Sequence, residues 1–143
     1  LSDVDLVEYY SNYFKGLALE LSRRGTKLVL VKQIPEAGWN VPDRAFRMLR
    51  EQDEGEVRTL RSVYEGRNNK VNQIFEPLKD VVNVIVLNPD FPLCDQNFCY
   101  HTEDKIPFYM DDDHLSKLGS KKVTEYILEE LNFRKIKESR TSE

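Results

Sequence analysis

The chain has 143 residues, of which 40% are apolar and 32% charged, and its net charge is −4. That suits one soluble domain of ordinary size with a modest core, and it gives no reason to expect nucleic acid as a partner. No apolar run approaches the roughly 20 residues of a transmembrane helix, and the first 20 residues, acidic and amphipathic, do not read as a signal peptide.

The chain starts at Leu1 rather than methionine, which reads as a processed piece or an excised domain. Leu6, Val7, Tyr10, Phe14, Leu17, Ala18 and Leu21 follow helical spacing, so a helix is expected over residues 4–24, ended by Gly25. The run KLVLVKQIP, residues 27–35, is short, β-rich and stopped by proline. Its lack of alternation predicts a strand covered on both faces, as in a parallel sheet. PEAGWNVP, residues 35–42, is a loop by its prolines and glycine.

Helical spacing resumes over residues 44–50. A longer helical segment carries Val57, Leu60, Tyr64, Val71, Ile74, Phe75 and Leu78, weakened at its middle by GRNN. VVNVIVLNP, residues 81–89, is a second buried strand. Residues 90–113 form a long loop holding Cys94, Cys99 and His101, and His114 follows directly. Ser116 is the expected N-cap of a last helix through Val123, Ile127, Leu128 and Leu131. The polar residues 134–143 read as a tail behind a single domain of residues 1–133.

Helix, strand, helices, strand, long loop, helix is an α/β order with crossovers between parallel strands. Ligands in such sheets bind beyond the carboxyl ends of the strands. The PEAGWNVP loop and the DDDH turn both lie downstream of strand ends, so they are expected on one rim. Two strands make a thin sheet, and further strands are expected outside these residues.

FYMDDDHLSKLG, residues 108–119, concentrates the candidate chemistry. Hydrolysis through a serine needs an imidazole to take the hydroxyl proton and a carboxylate to orient that imidazole. Asp111 and His114 can supply both from one tight turn. On the D-x-x-H spacing alone, a charged helix-entry segment is the simpler reading, because acidic groups are favoured near helix N-termini. Cys94, Cys99, His101 and His114 have zinc-ligand chemistry, but C-x4-C-x-H-x12-H lies at the edge of the common spacings. Asp111, Asp112 and Asp113 lack the glycine-bearing loop of a calcium site. No metal or cofactor is therefore expected. The cysteine spacing fits two reduced thiols and a small disulfide loop about equally.

The phrase DDDHLSKLG resembles the last block of SGNH, or GDSL-type, hydrolases. IPEAGWNVP, the C-x4-C pair and PFYMDDDHLS together resemble, more narrowly, the SGNH domain fused to membrane acyltransferase-3 domains that O-acetylate polysaccharides. The resemblance runs from about residue 6 to 131. It implies a flavodoxin-like three-layer α/β fold with a parallel sheet. It implies His114 as general base and then acid, Asp111 as its orienting carboxylate, and Asp112 and Asp113 as solvated or loop-shaping. Trp39 would line an acyl or sugar pocket. Cys94 and Cys99 would form a disulfide on the extracytoplasmic face of a membrane. The substrate would be a carbohydrate or other acyl ester, and an acyltransferase-3 transmembrane domain would lie upstream.

The family's serine stands in a G-D-S block. None of the six glycines here precedes Asp-Ser. The nucleophile and oxyanion donors are therefore expected before Leu1, and Ser116 is read as a cap. The alternative is a catalytically silent carbohydrate-binding or interaction domain of SGNH outline.

Overall fold

The computed structural model describes residues 3–141. Its elements are α1 (Asp3–Arg23), β1 (Leu28–Val31), α2 (Val41–Arg50), β2 (Arg58–Leu60), α3 (Arg61–Arg67), α4 (Asn69–Phe75), a 3-10 turn (Glu76–Leu78), β3 (Val84–Leu87), β4 (Phe98–Tyr100), β5 (Thr102–Glu103), β6 (Ile106–Pro107) and α5 (Lys117–Thr141). The chain divides into two compact units where the sequence showed no boundary: residues 1–33 with 65–88, and residues 34–64 with 89–143.

The first unit holds the parallel sheet that the two apolar runs predict. β1 and β3 pair in parallel from Leu28 opposite Val84 to Val31 opposite Leu87. The fold is therefore α/β in character, and both strands leave this pair at the same edge. Leu30, Val84 and Val86 pack with Ala18 of α1 and Leu78, flanked by Phe14, Leu28, Phe75 and Val81. Phe14 and Phe75 meet edge to face at 5.5 Å. Ser11 Oγ donates to Ile74 O at 3.0 Å, tying α1 to α4. α1 ends as its sequence predicts. Gly25 takes the left-handed φ of 68°, Thr26 N reaches back to Leu21 O, and Gly25 N to Ser22 O. These two bonds satisfy carbonyls that the last turn leaves open.

All four residues of β3 are buried, but β1 corrects the expectation of cover on both faces. Leu30 is buried, whereas Val29 and Val31 are 40% and 46% exposed. Alternate side chains of a strand point to opposite faces, and only the Leu28–Leu30 face has a packed partner among the described residues.

The second unit is built on Ala37, Val41, Ala45, Met48, Val57, Leu93, Phe108, Tyr109 and Val123. Here the sequence reading needs two corrections. The expected long helix over residues 57–78 begins as strand β2, with Thr59 opposite Cys99 of β4 in an antiparallel pair. Gly55 and the β-branched Thr59 favour that extended start, and cross-strand pairing outweighs the helical spacing of Val57, Leu60 and Tyr64. The long loop also carries three short strands, with β5 and β6 paired antiparallel. Burial alternates from Phe98 to Thr102, with Cys99 and His101 inward, a two-residue period too short to stand out in the sequence.

The Cys94–Cys99 disulfide closes the turn leading into β4. Asp95 Oδ1 braces that turn by accepting from Asn97 N and Phe98 N at 2.8 and 2.7 Å. The backbone of α5 runs to Thr141, through the stretch read as a polar tail. Its Lys, Glu and Arg residues are good helix formers by intrinsic propensity.

Candidate active site

The site grows from the turn between β6 and α5. Tyr109 and Leu115 bridge across it, and Met110 N donates to His114 O at 2.7 Å. The three aspartates and His114 are thus confined to a closed turn. Asp111 organises it with both oxygens. Its Oδ1 accepts from the backbone N–H of Asp113 at 3.1 Å and of His114 at 2.8 Å. Its Oδ2 lies 2.9 Å from His114 Nδ1. One carboxylate fixes both the turn and the ring. Asp113 Oδ1 also stands 2.8 Å from the same nitrogen, so the imidazole has two anionic neighbours, where the sequence reading left Asp113 solvated or loop-shaping.

The electrostatics follow from this geometry. The two backbone N–H groups, with the His114 ring, lower the Asp111 pKa to about 2. Asp111 is therefore ionised at neutral pH and can only accept. The proton between the two groups must then belong to Nδ1, and in the neutral ring Nε2 is the free base. The hydrogen bond and charge of Asp111, with the charges of Asp113 and Asp112, raise the His114 pKa. The His114 side chain is 70% exposed, and Nε2 has no partner among the described residues.

Two further features hold the turn in place. The Ala37 and Val41 N–H groups donate to Asp112 O and Asp111 O at 2.9 and 3.0 Å, so the PEAGWNVP loop and the DDDH turn meet. The buried Tyr109 hydroxyl donates to Pro35 O at the start of the same loop. On the other side, Ser116 Oγ accepts from Gly119 N at 3.3 Å and donates to Pro107 O at 2.8 Å. Ser116 is the expected cap, and its hydroxyl is occupied. Gly119 is there for want of space, since a Cβ would collide with Phe108 O. Its role was not read from the sequence, although its place three residues after a serine cap hints at close helix-entry packing.

Trp39, 37% exposed, packs its ring edge to face against His101 at 5.6 Å. His101 is fully buried. Its other ring neighbour is Tyr109 at 5.3 Å, and its Nε2 lies 3.0 Å from Thr59 Oγ1. Burial lowers its pKa to about 4. This second histidine is a neutral core residue at working pH. The ligand atoms of Asp111, Asp113 and His114 fall within 4.8 Å of one another. A cation bound through Nδ1 would have to displace the proton that Nδ1 donates to Asp111.

The arrangement supplies an oriented imidazole with an outward basic nitrogen, and the hydroxyl two residues on, that of Ser116, is spent on capping. It can move a proton for a nucleophile that it does not itself provide. A family model described as the SGNH domain fused to AT3 domains matches residues 3–129. No curated protein and no solved structure gives a significant match. No helix among the described residues is long and apolar enough to cross a membrane.

Proposed function

Because the chain belongs to the family of SGNH domains fused to AT3 domains, we propose that it supplies the His–Asp half of a Ser-His-Asp acyl-transfer site. The observation that carries this reading is the His114 Nδ1–Asp111 Oδ2 contact at 2.9 Å, with Nε2 left outward. The serine stands in a Gly-Asp-Ser block outside residues 1–143. His114 Nε2 takes its hydroxyl proton as the oxygen attacks an ester carbonyl, and Asp111 stabilises the imidazolium that forms. The imidazolium then protonates the departing alcohol oxygen as the acyl-enzyme is made. Water or an acceptor hydroxyl, deprotonated by the same Nε2, releases the acyl group. The substrate class is an acyl ester, with acetyl on a carbohydrate as the specific reading. The site faces the extracytoplasmic side, where an upstream acyltransferase-3 domain hands over acyl groups.

The test is aryl acetate and acetylated-sugar turnover by the longer polypeptide that carries the Gly-Asp-Ser block. His114→Ala should lower kcat by on the order of 10³ or more, as in a triad acting as a unit. Asp111→Asn should be severe as well, because it favours the wrong tautomer. Residues 1–143 alone should show almost no turnover. Full activity of the longer polypeptide after His114→Ala would remove the catalytic reading of this turn, and no turnover by the unaltered longer polypeptide would favour a silent carbohydrate-binding or interaction domain.

A further inference from the structure

From the cavity beside Trp39 we infer a binding site for an anionic saccharide, in which arginines of α2 hold the acidic group and the tryptophan ring holds a sugar face. The cavity, about 520 Å³, is lined by Trp39, Asn40, Asp43, Arg44, Arg47, Glu56, Val57 and Arg58. That volume is in the range of small-molecule sites. Three guanidinium groups face two carboxylates there. Arg58 is satisfied, since it pairs with Glu56 at 2.8 Å and lies 3.7 Å over the Phe98 ring. Arg44 and Arg47 have neither an ion pair nor a side-chain hydrogen bond among the described residues. Asp43 is the one carboxylate left to offset them.

Two unpaired cations three residues apart on one helix repel each other. Arg44 also stands in the N-terminal half of α2, where the helix dipole disfavours a cation. Arg47, in the last turn, is favoured by the dipole, but folding gains nothing evident from Arg44, and an anion in the cavity would relieve its cost and the repulsion between the two. The guanidinium fork accepts carboxylate, sulfate or phosphate oxygens in pairs. Trp39 supplies the apolar wall that an anion alone does not need. Its ring is fixed against buried His101, and residues 37 and 41 on either side bond to the backbone of the His114 turn. A sugar seated on Trp39 would therefore be held by the same loop that buttresses the imidazole. The saccharide class rests on the carbohydrate reading above, but binding at this cavity requires neither His114 nor the serine.

Trp39 is the single tryptophan of the 143-residue chain, so its fluorescence reports on the cavity directly. The chain should be titrated with a galacturonate oligosaccharide, a neutral galactose oligosaccharide of equal length, and inorganic phosphate. The acidic oligosaccharide should change Trp39 emission saturably, bind at least about tenfold more tightly than either comparator, and weaken as salt rises. Arg44→Gln and Arg47→Gln should each weaken it by about tenfold, the loss expected for one charge-assisted hydrogen bond. His114→Ala should leave it unchanged, which separates failure here from failure of the catalytic reading. Equal binding of the neutral sugar, phosphate binding as tight as the acidic sugar, or indifference to both arginine changes would overturn the proposal. So would arginine-dependent binding to phosphatidylserine-containing vesicles without saccharide binding, which would make α2, with exposed Phe46 and Leu49, a membrane-surface element.

Discussion

The two histidines of this chain stand in the same compact unit and have opposite chemistry. His101 is sealed between Trp39 and Tyr109, and loss of hydration drives its pKa down to about 4. His114 stands in solvent with carboxylates on its Nδ1, and their hydrogen bond and charge drive its pKa up. The comparison shows that proximity of an imidazole to a loop cluster says little by itself. What marks a base is an anion on one nitrogen and open space at the other. His101 has neither, and its role is to carry the ring of Trp39 and fill the core.

The largest expected effect separates the two residues by what each one costs. In the longer polypeptide, His114→Ala should remove on the order of 10³ or more of kcat while leaving the urea midpoint of unfolding almost in place. His101→Ala should do the reverse. It empties a buried site packed by two aromatic rings, so a loss of about 2–4 kcal/mol in stability is expected, with activity falling only as folded protein is lost. Equal effects of both changes on rate at fixed folded fraction would erase the distinction.

Next comes the scaffold around His114. Gly119→Ala would normally gain about 1 kcal/mol in a helix. Here the added methyl meets a backbone carbonyl, so a loss of about 3 kcal/mol is expected instead, read as a lower denaturation midpoint. A stabilised Gly119→Ala protein would show that α5 enters the turn differently. Tyr109→Phe should cost about 1–3 kcal/mol, because Pro35 O loses its buried donor. That change should also loosen the Trp39 loop, visible as altered Trp39 emission. Unchanged stability and emission would mean that water replaces the hydroxyl.

Much of this was legible in the sequence because the signals were local. The β-rich runs around Leu28–Val31 and Val84–Leu87 gave the parallel pair, Gly25 gave the end of α1, and the family resemblance of DDDHLSKLG, rather than the D-x-x-H spacing alone, pointed to the Asp111–His114 contact. What escaped depended on distant partners. Arg58–Leu60 becomes a strand only because Phe98–Tyr100 pairs with it. Residues 98–107 form strands of two or three residues, too short for periodicity to show. Asp113 joined the imidazole through turn geometry that adjacent identical residues cannot reveal. The exposure of Val29 and Val31 depends on what packs against β1, which composition does not encode.

The smallest effects test the electrostatics of the comparison itself, through the pH dependence of each ring proton in NMR spectra. His114 should titrate above the ordinary histidine value of about 6.5, and His101 should stay neutral until about pH 4. The signs for stability differ accordingly. The contribution of His114 is complete below its unfolded pKa and fades as pH rises through the raised folded value. That of Asp111 is complete above its unfolded pKa and fades as pH falls through about 2. For His101 the unfolded state binds the proton more readily, so stability falls as pH drops from about 6.5 towards 4. In the longer polypeptide the rate should rise as pH passes through the raised His114 pKa, since the base must be neutral to act. Asp111→Asn should move the His114 midpoint down, because hydrogen bond and charge are both lost. Asp113→Asn should move it down less, because Asp113 acts through charge. Asp112→Asn should move it least. If Asp113→Asn shifts His114 more than Asp111→Asn does, then Asp113 holds the ring in solution, and the orienting role passes to it.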